Sequence, residues 1–430
     1  MDWESLCRKF VIGHYSGAAI DSREIQRGQL FFALKGARVD GCQFLADVAR
    51  KGGALAVVPI DYCGNSYGLE LVKVDNVLGS LHALAKRYYR ELPIRSVAVT
   101  GSVGKTTTKE FIVTLLEKQF SLAKTVGNAN SQATFPLSVL NRNRNSELFV
   151  MEMGMSQEGE LAKLVDIAPP DLAFVGRLGM AHAQFFTDGL EGIARAKSEI
   201  LSQPRTKAAI LHPTTLEFLP FQKAKLKEKI VYFGSDYQLE EGPDAFRVIE
   251  RGIFSPEFLL PFEASHLKEN FLGAVAVARW FGMDWKEILE QIPHLRAPKM
   301  RFECFERGGV CYINDAYNSN PSSLKAALEN LPKRVKGKKI GVIGEMRELG
   351  GFSEPLHREL GIKALENIDL LIAYGRETIP MVDVFLAEGR PVYHYLDISE
   401  VKEALCQSTE PGDLVLVKAS QSNALWTILE

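Results

Sequence analysis

The stretch Thr100-Gly101-Ser102-Val103-Gly104-Lys105-Thr106-Thr107 decides how the chain reads. It follows the apolar run Val97-Ala98-Val99 and opens a segment, Thr108 to Glu117, in which Phe111, Ile112, Leu115 and Leu116 recur at helical spacing. A buried strand that turns through glycines into a helix start, with a lysine and hydroxyls at the turn, makes a phosphate cradle. Glycine has no Cβ to block inward-pointing N–H groups, and the helix N-terminus adds its positive dipole end. Lys105 reaches the outer phosphates as a point charge, and the Thr106 hydroxyl is placed to ligate Mg²⁺. Val99 stands where the first glycine of the common eight-residue pattern falls, so the motif is the tighter GxxGKTT form. A Gly-rich turn with no ligand is the competing reading of so short a pattern. The strand before it and the helical spacing after it favour the phosphate loop.

The chain has 430 residues, 46% of them hydrophobic, and a formal net charge of −2. That length predicts two to four domains with ample cores, and the charge gives no long-range attraction to nucleic acid or to anionic membranes. Cys7, Cys42, Cys63, Cys304, Cys311 and Cys406 form no CxxC pair, which predicts reduced, buried thiols with neither disulfide nor zinc. Met1-Asp2-Trp3-Glu4 lacks the order of a signal peptide, and the apolar run Phe271 to Ala278 is too short to span a bilayer. The expectation is a cytoplasmic protein with no stable membrane insertion.

Outward from the loop, short apolar runs alternate with helical patterns. Leu30 to Leu34, Ala54 to Pro59 and Leu69 to Val74 precede a charged helix over Leu81 to Glu91. Pro93 then separates this unit from the next. Leu148 to Met153, Leu172 to Val175, Ala208 to Leu211 and Ile230 to Phe233 read as buried strands of a largely parallel sheet. His266 to Phe281 has an apolar helical face, and His294 to Pro298 marks a second boundary. Beyond it Val310 to Ile313, Ile340 to Ile343, Leu370 to Ala373 and Leu414 to Val417 alternate with helices as in a smaller doubly wound domain. The fold class expected is α/β with three domains, at 1–92, 93–297 and 298–430, the middle one a mainly parallel phosphate-loop sheet and the last Rossmann-like.

Two further residues lie where ligands of open α/β sheets bind, and a third follows on a short apolar helix. Glu152 ends the strand Leu148 to Met151 and reads either as a Mg²⁺ partner or as a solvated strand-end glutamate. His182 follows Gly179-Met180-Ala181 on the loop after the next strand, where a lone histidine more often makes ordinary hydrogen bonds than ligates a metal. Lys197 sits in Ile193 to Ile200 among apolar positions, and by itself reads as a snorkelling surface lysine.

Together these residues resemble the ATP-dependent Mur ligases of peptidoglycan synthesis. The likeness runs in order through Asp21-Ser22-Arg23, Phe31 to Gly36, Asp40-Gly41, Gly101 to Thr107, Met151 to Gly154, Ala181-His182 and Ala196 to Ile200. It continues through His266 to Asn270, Arg301, Asp315-Ala316-Tyr317-Asn318-Ser319-Asn320-Pro321, Gly344 to Gly350 and Lys418-Ala419-Ser420. The stretches from Asp315 and Gly344, with no Asp-Asn-Pro-Arg tetrapeptide in the chain, are similar to the branch of the family that adds a dipeptide. Departures stand at Ser131, Arg177, Thr214, Glu345 and Gln421, where the family pattern has other residues.

The resemblance implies an ATP-dependent amide ligase that joins D-alanyl-D-alanine to UDP-N-acetylmuramoyl-tripeptide through an acyl phosphate. It implies two Mg²⁺ sites, one held by Thr106 and Glu152 and one by His182 and a carbamylated Lys197, with Lys105, Glu152, His182 and Lys197 as the catalytic set. ATP would lie against Gly101, Ser102, Val103, Gly104, Lys105, Thr106 and Thr107, with His266 and Asn270 on the adenine side. Arg301 would meet the γ-phosphate and Asp315 the ribose, and Asn318, on the following loop, would also bind the nucleotide. Ser22 and Arg23 of a uridine-nucleotide domain, with Asn128 and Asn130, would hold the muramyl substrate, and the dipeptide would bind the C-terminal domain. A monomer that closes about the linker Leu295 to Met300 is expected. Two other readings stay open: a ligase of the same superfamily with a different amino-acid acceptor, and a nucleotide-binding regulatory protein without ligase chemistry.

Overall fold

In the computed structural model, which describes residues 1–36 and 39–430, the phosphate-loop strand Arg95–Thr100 is central to a six-stranded, all-parallel sheet. The order runs Glu228–Val231, Ala208–Leu211, Leu172–Val175, Arg95–Thr100, Leu148–Glu152, Leu122–Lys124. Every residue of Leu148–Glu152, Leu172–Val175 and Ala208–Leu211 is buried, as expected for strands covered on both faces. The two-residue period divides the work. Val97 and Val99 point into one core with Phe111, Leu115, Phe271 and Val275, while Ala98 points into the other with Met151, Leu161 and Ile193. Helices Lys105–Leu116 and Ser265–Trp280 pack together on the first face.

The N-terminal residues form a four-stranded parallel sheet, Ala18–Ala19, Leu30–Phe32, Leu55–Pro59, Glu70–Val74, backed by helices Trp3–Val11 and Val77–Glu91. Leu6, Phe10, Leu81 and Tyr88 share one continuous core with Phe149, Met151 and Leu161 of the central sheet. Packing therefore does not break at Pro93, although the sheets do. A three-stranded antiparallel sheet, Tyr237–Glu241, Phe246–Glu250, Ile253–Phe254, precedes the long helix.

The C-terminal sheet orders Glu303–Arg307, Val310–Asp315, Leu414–Lys418, Lys339–Gly344, Leu370–Tyr374, Val392–Tyr395, with only the first pair antiparallel. Each large sheet reverses its strand order beside a strand whose carboxyl end opens on the same cleft: Arg95–Thr100 in one, Leu414–Lys418 in the other. Such reversal points leave a crevice outside the strand ends, and here two crevices face each other. Among the described residues no helix is long and apolar enough to cross a membrane.

One expectation needs correction. All six cysteines are free thiols, but only Cys7 is buried; Cys63, Cys304, Cys311 and Cys406 are exposed. Cys304 lies on the C-terminal sheet's edge strand and Cys311 on the strand beside it, on positions that the packing leaves open to solvent.

Candidate active site

A cleft of about 2070 Å³ runs between the central and C-terminal sheets. Its floor is the phosphate loop. Gly101 has φ 152° and Gly104 φ 78°, and Gly104 caps the helix Lys105–Leu116 in the left-handed conformation. A Cβ on Gly104 would lie 2.3 Å from Asn270 Oδ1, so the glycine is required by approach as well as by backbone. Asn270 Oδ1 accepts from Thr108 Oγ1 at 3.2 Å, tying the long helix to the loop. Lys105 donates to Gly101 O at 2.8 Å; burial pushes its pKa down, opposed by Glu152 and reinforced by Arg301. The Ser102 hydroxyl donates to Gly179 O at 2.8 Å, which ties the loop to the segment leading to His182.

Glu152 is buried, not a solvated strand end. Its Oε1 accepts from Asn130 Nδ2 at 2.7 Å, while Oε2 is buried with no hydrogen-bond partner. The nearest cation is Lys109, fully buried, whose Nζ lies 3.7 Å from that oxygen and 3.1 Å from Glu110 Oε1. Lys109 also donates to Thr125 O at 2.9 Å and to Gly127 O at 3.4 Å. Sequence reasoning passed over this lysine, because a charged residue four after Lys105 looks like an exposed helix position.

Lys197 is also buried, which corrects its reading as a snorkelling surface residue. The helix Leu190–Ser198 turns its Ile193, Ala194, Ala196 and Lys197 inward together, beneath the loop. Burial lowers its pKa well below the ordinary lysine range, and the neighbouring Lys105 charge lowers it further. The two lysines therefore differ in kind. Lys109 is compensated by carboxylates and carbonyls, whereas Lys197 has no carboxylate acting on it among the described residues, so burial works against its charged form.

Arg301 arrives from the linker. Its neighbours Met300 and Phe302 both hold φ 57°, a strained arrangement that turns the guanidinium toward the loop, where it donates to Thr106 Oγ1 at 3.0 Å and stacks 4.1 Å over the Tyr317 ring. Asp315, at the end of its strand, accepts from Phe302 N at 3.1 Å and pairs with buried Lys418 at 2.8 Å. Lys418 also donates to Asn318 O at 2.7 Å, shaping the next loop. Asn320 caps the helix Pro321–Glu329 through a capping box, with Pro321 in its first turn, and reaches Ser102 O at 3.4 Å. His266 packs edge-on to Phe302 with its buried Nδ1 unpartnered.

The cleft thus brings together Ser102 to Thr107, Glu152, His182, His266, Asn270, Arg301, Asp315 and Asn318, with Asn128 and Asn130 at its side. Gly101 and Lys197 lie just behind its wall. Ser22 and Arg23 are not part of it: Asp21 Oδ1 accepts from Arg23 N at 2.8 Å in a local turn, and Ser22 O accepts from Lys51 at 2.8 Å. The departure Arg177 pairs with Glu269 at 2.7 Å, and His212 Nε2 lies 3.3 Å from the same carboxylate. These substitutions build a local network at the rim of the cleft.

Among the described residues no three of His, Cys, Asp and Glu converge on one point. That arrangement suits Mg²⁺, which takes one or two protein oxygens and completes its shell with phosphate and water, and the orphaned Glu152 Oε2 is an oxygen that a cation would satisfy.

A phosphate loop at one sheet's reversal point, faced by a second nucleotide-type sheet carrying Asp315 and Lys418, defines a nucleotide-binding α/β protein whose site is shared between two domains. The chain belongs to the Mur ligase family. Residues 14–89 match the family description "Mur ligase family, catalytic domain", residues 99–278 "Mur ligase middle domain", and residues 300–421 "Mur ligase, glutamate ligase domain". It is 33% identical over 431 aligned residues to the UDP-N-acetylmuramoyl-tripeptide--D-alanyl-D-alanine ligase of Bacillus subtilis, covering 96% of this chain and 92% of that protein. Among solved structures it is similar to MurF from Acinetobacter baumannii (TM-score 0.84, 26% identity, 99% of this chain and 97% of that one). It is also similar to MurF ligase from Thermotoga maritima in complex with ADP (TM-score 0.79, 26% identity, 98% and 97%).

Proposed function

We propose that the chain is an ATP-dependent ligase that forms the amide bond between UDP-N-acetylmuramoyl-tripeptide and D-alanyl-D-alanine in peptidoglycan precursor synthesis. The relatives named above carry that activity in their names, and the cleft supplies parts that suit it. We read residues 1–92 as the uridine-nucleotide unit, with Ser22 and Arg23 on its binding side, 93–297 as the ATP unit and 298–430 as the acceptor unit. We read the chain as a monomer and as a cytoplasmic enzyme, since the ATP and the UDP-linked precursor it would use are made in the cytoplasm.

The reaction is uphill until the peptide carboxylate is activated. A carboxylate oxygen attacks the γ-phosphorus of ATP and ADP leaves; the dipeptide amine then attacks the acyl carbon, phosphate leaves, and the amine loses its proton. Both steps gather negative charge between the phosphates and the acyl carbon, so positioning and electrostatic neutralisation carry the catalysis. Lys105 and the loop amides hold the phosphates, and Arg301, poised over Thr106, meets the γ-phosphoryl group. Asp315 keeps lone pairs free for ribose hydroxyls beyond its two bonds, and His266 and Asn270 flank the adenine side.

Magnesium, when bound, would neutralise the phosphates and orient the transferring group. Thr106 and Glu152 suit one ion, and His182 with Lys197 a second. As an ammonium Lys197 would repel a metal. Burial favours its unprotonated form, which can attack CO₂: the nitrogen–carbon bond forms, a proton leaves, and the product carbamate is an anionic oxygen ligand. This buried, uncompensated lysine beneath a phosphate loop is the observation that carries the reading, since a protein that only bound nucleotide would have no use for it.

The test is phosphate release with the muramyl tripeptide and either D-alanyl-D-alanine or single amino acids. Release dependent on the dipeptide supports the proposal. Release dependent on a single amino acid points to another ligase of the superfamily, and release indifferent to acceptor refutes ligase function.

A further inference from the structure

The contact that closes the cleft on its far side joins His182 to Glu348, 166 residues apart and on opposite walls. His182 Nδ1 meets Glu348 Oε2, and the backbone repeats the junction: Gln184 N donates to Glu348 O at 3.0 Å. The short turns Ala183–Phe185 and Gly350–Phe352 pack against each other, and a Cβ on Gly350 would lie 2.9 Å from Gln184 Cβ. Both partners sit in left-handed backbone. His182 has φ 59° and Glu348 φ 63°, a left-handed conformation uncommon for any residue with a side chain, though histidine adopts it more readily than glutamate. Side chains and backbone from the two walls meet at the same point, which makes the junction a built contact.

The chemistry of the pair has one direction. A carboxylate only accepts, so Nδ1 must carry the hydrogen. In neutral imidazole the lone pair then resides on Nε2, the nitrogen turned away from Glu348. An outer carboxylate that fixes tautomer and ring orientation is a recurrent partner of metal-binding histidines.

We propose that Glu348 is a positioning residue for magnesium: by accepting the Nδ1 proton of His182 from across the cleft, it leaves Nε2 free for the metal only when the two domains have closed. This rests on the assignment of His182 to a metal site made above, and it makes that site a sensor of closure. Nothing in the GEMRELG stretch alone signals the role, because the histidine it serves belongs to another domain.

The test uses the full-length chain and two readouts other than turnover. Long-range ¹H–¹⁵N spectra of histidine-labelled protein, assigned with His182→Ala, report the tautomer; calorimetry reports ADP binding with and without Mg²⁺. The wild type is expected to show the Nδ1–H form. Glu348→Ala should weaken Mg²⁺-dependent ADP binding about 10- to 100-fold and leave binding without Mg²⁺ unchanged. Glu348→Gln, whose amide oxygen still accepts, should retain the tautomer and most of the affinity. An Nε2–H tautomer in the wild type, or a folded Glu348→Ala variant with undiminished Mg²⁺-dependent affinity, overturns the proposal. If Glu348→Ala does not fold, the wild-type spectrum and the Glu348→Gln titration still decide. Failure of the wild type to bind ADP at all would sink the ligase reading instead, so the two failures are separable.

Discussion

Replacing Lys109 by Met removes a charge while keeping nearly the same length and volume, so its cost measures electrostatics more than packing. The Lys109 side chain is fully buried, and Glu152, 3.7 Å away, is almost so. At that separation and an effective dielectric of about 20 the pair attraction is roughly 4 to 5 kcal/mol. Glu110 contributes less, since it is partly exposed and keeps Lys124 at 2.5 Å. The carbonyls of Thr125 and Gly127 also lose a donor, at a cost of about 1 kcal/mol or more each unless the loop turns them to water. Breaking a buried pair by deleting one partner costs about 3–5 kcal/mol in general, and we expect Lys109→Met to fall there. For a domain of about 150–250 residues this lowers the melting temperature by roughly 10 °C.

The assay is thermal unfolding of the wild type, Lys109→Met, Glu152→Gln and the double variant. Adding Glu152→Gln to Lys109→Met removes the stranded carboxylate and should restore part of the loss, giving a coupling energy of about 2 kcal/mol or more. A double variant whose loss equals the sum of the singles would refute the reasoning, because Lys109 would then be holding only the loop carbonyls.

Other outcomes follow from the same geometry. Lys197→Ala should lose most ligase activity and recover some with small carboxylic acids, which stand in for the carbamate; full activity without them would remove the carbamate from the mechanism. Gly104→Ala places a methyl 2.3 Å from Asn270 Oδ1 at φ 78°, and should weaken ADP binding more than 10-fold by calorimetry, with partial recovery when Asn270→Ala makes room. Burial drives the pKa of His212 down to about 4, against 6.5 when unfolded, despite the opposing Glu269 charge. Above pH 6.5 both states are neutral; as pH falls from 6.5 toward 4 only the unfolded chain takes the proton, so stability drops, by about 3 kcal/mol. His212→Asn should flatten that part of the stability-against-pH curve, and an unchanged slope would assign the acid sensitivity elsewhere.

Much of the architecture was legible along the chain. Leu172–Val175 and Ala208–Leu211 fall where the apolar runs place them, and Glu228–Val231 is displaced by two residues from the run Ile230 to Phe233. The helix after the phosphate loop begins at Lys105, because Gly104 already supplies the cap. Local signals suffice for such elements: strand periodicity, glycine at a left-handed turn and proline at a helix start are properties of a few consecutive residues.

Burial and partnership are another matter. The bare sequence of Leu190–Ser198 shows an apolar stripe but not which neighbour covers its edge, so Lys197 was read as exposed when the fold places it under the loop. Lys109 was passed over for the same reason. The exposed cysteines on the hairpin Glu303–Asp315 likewise depend on which faces of the two strands the packing covers.

The sequence by itself determined the phosphate loop, the alternation of strands and helices, and the family, because each is written in short-range pattern or in motif order. The tertiary structure alone decided which buried lysine lies against a carboxylate and which does not, and which carboxylate meets His182. Those properties depend on what surrounds a side chain in space, and residues 166 apart become neighbours only when two sheets close on one cleft.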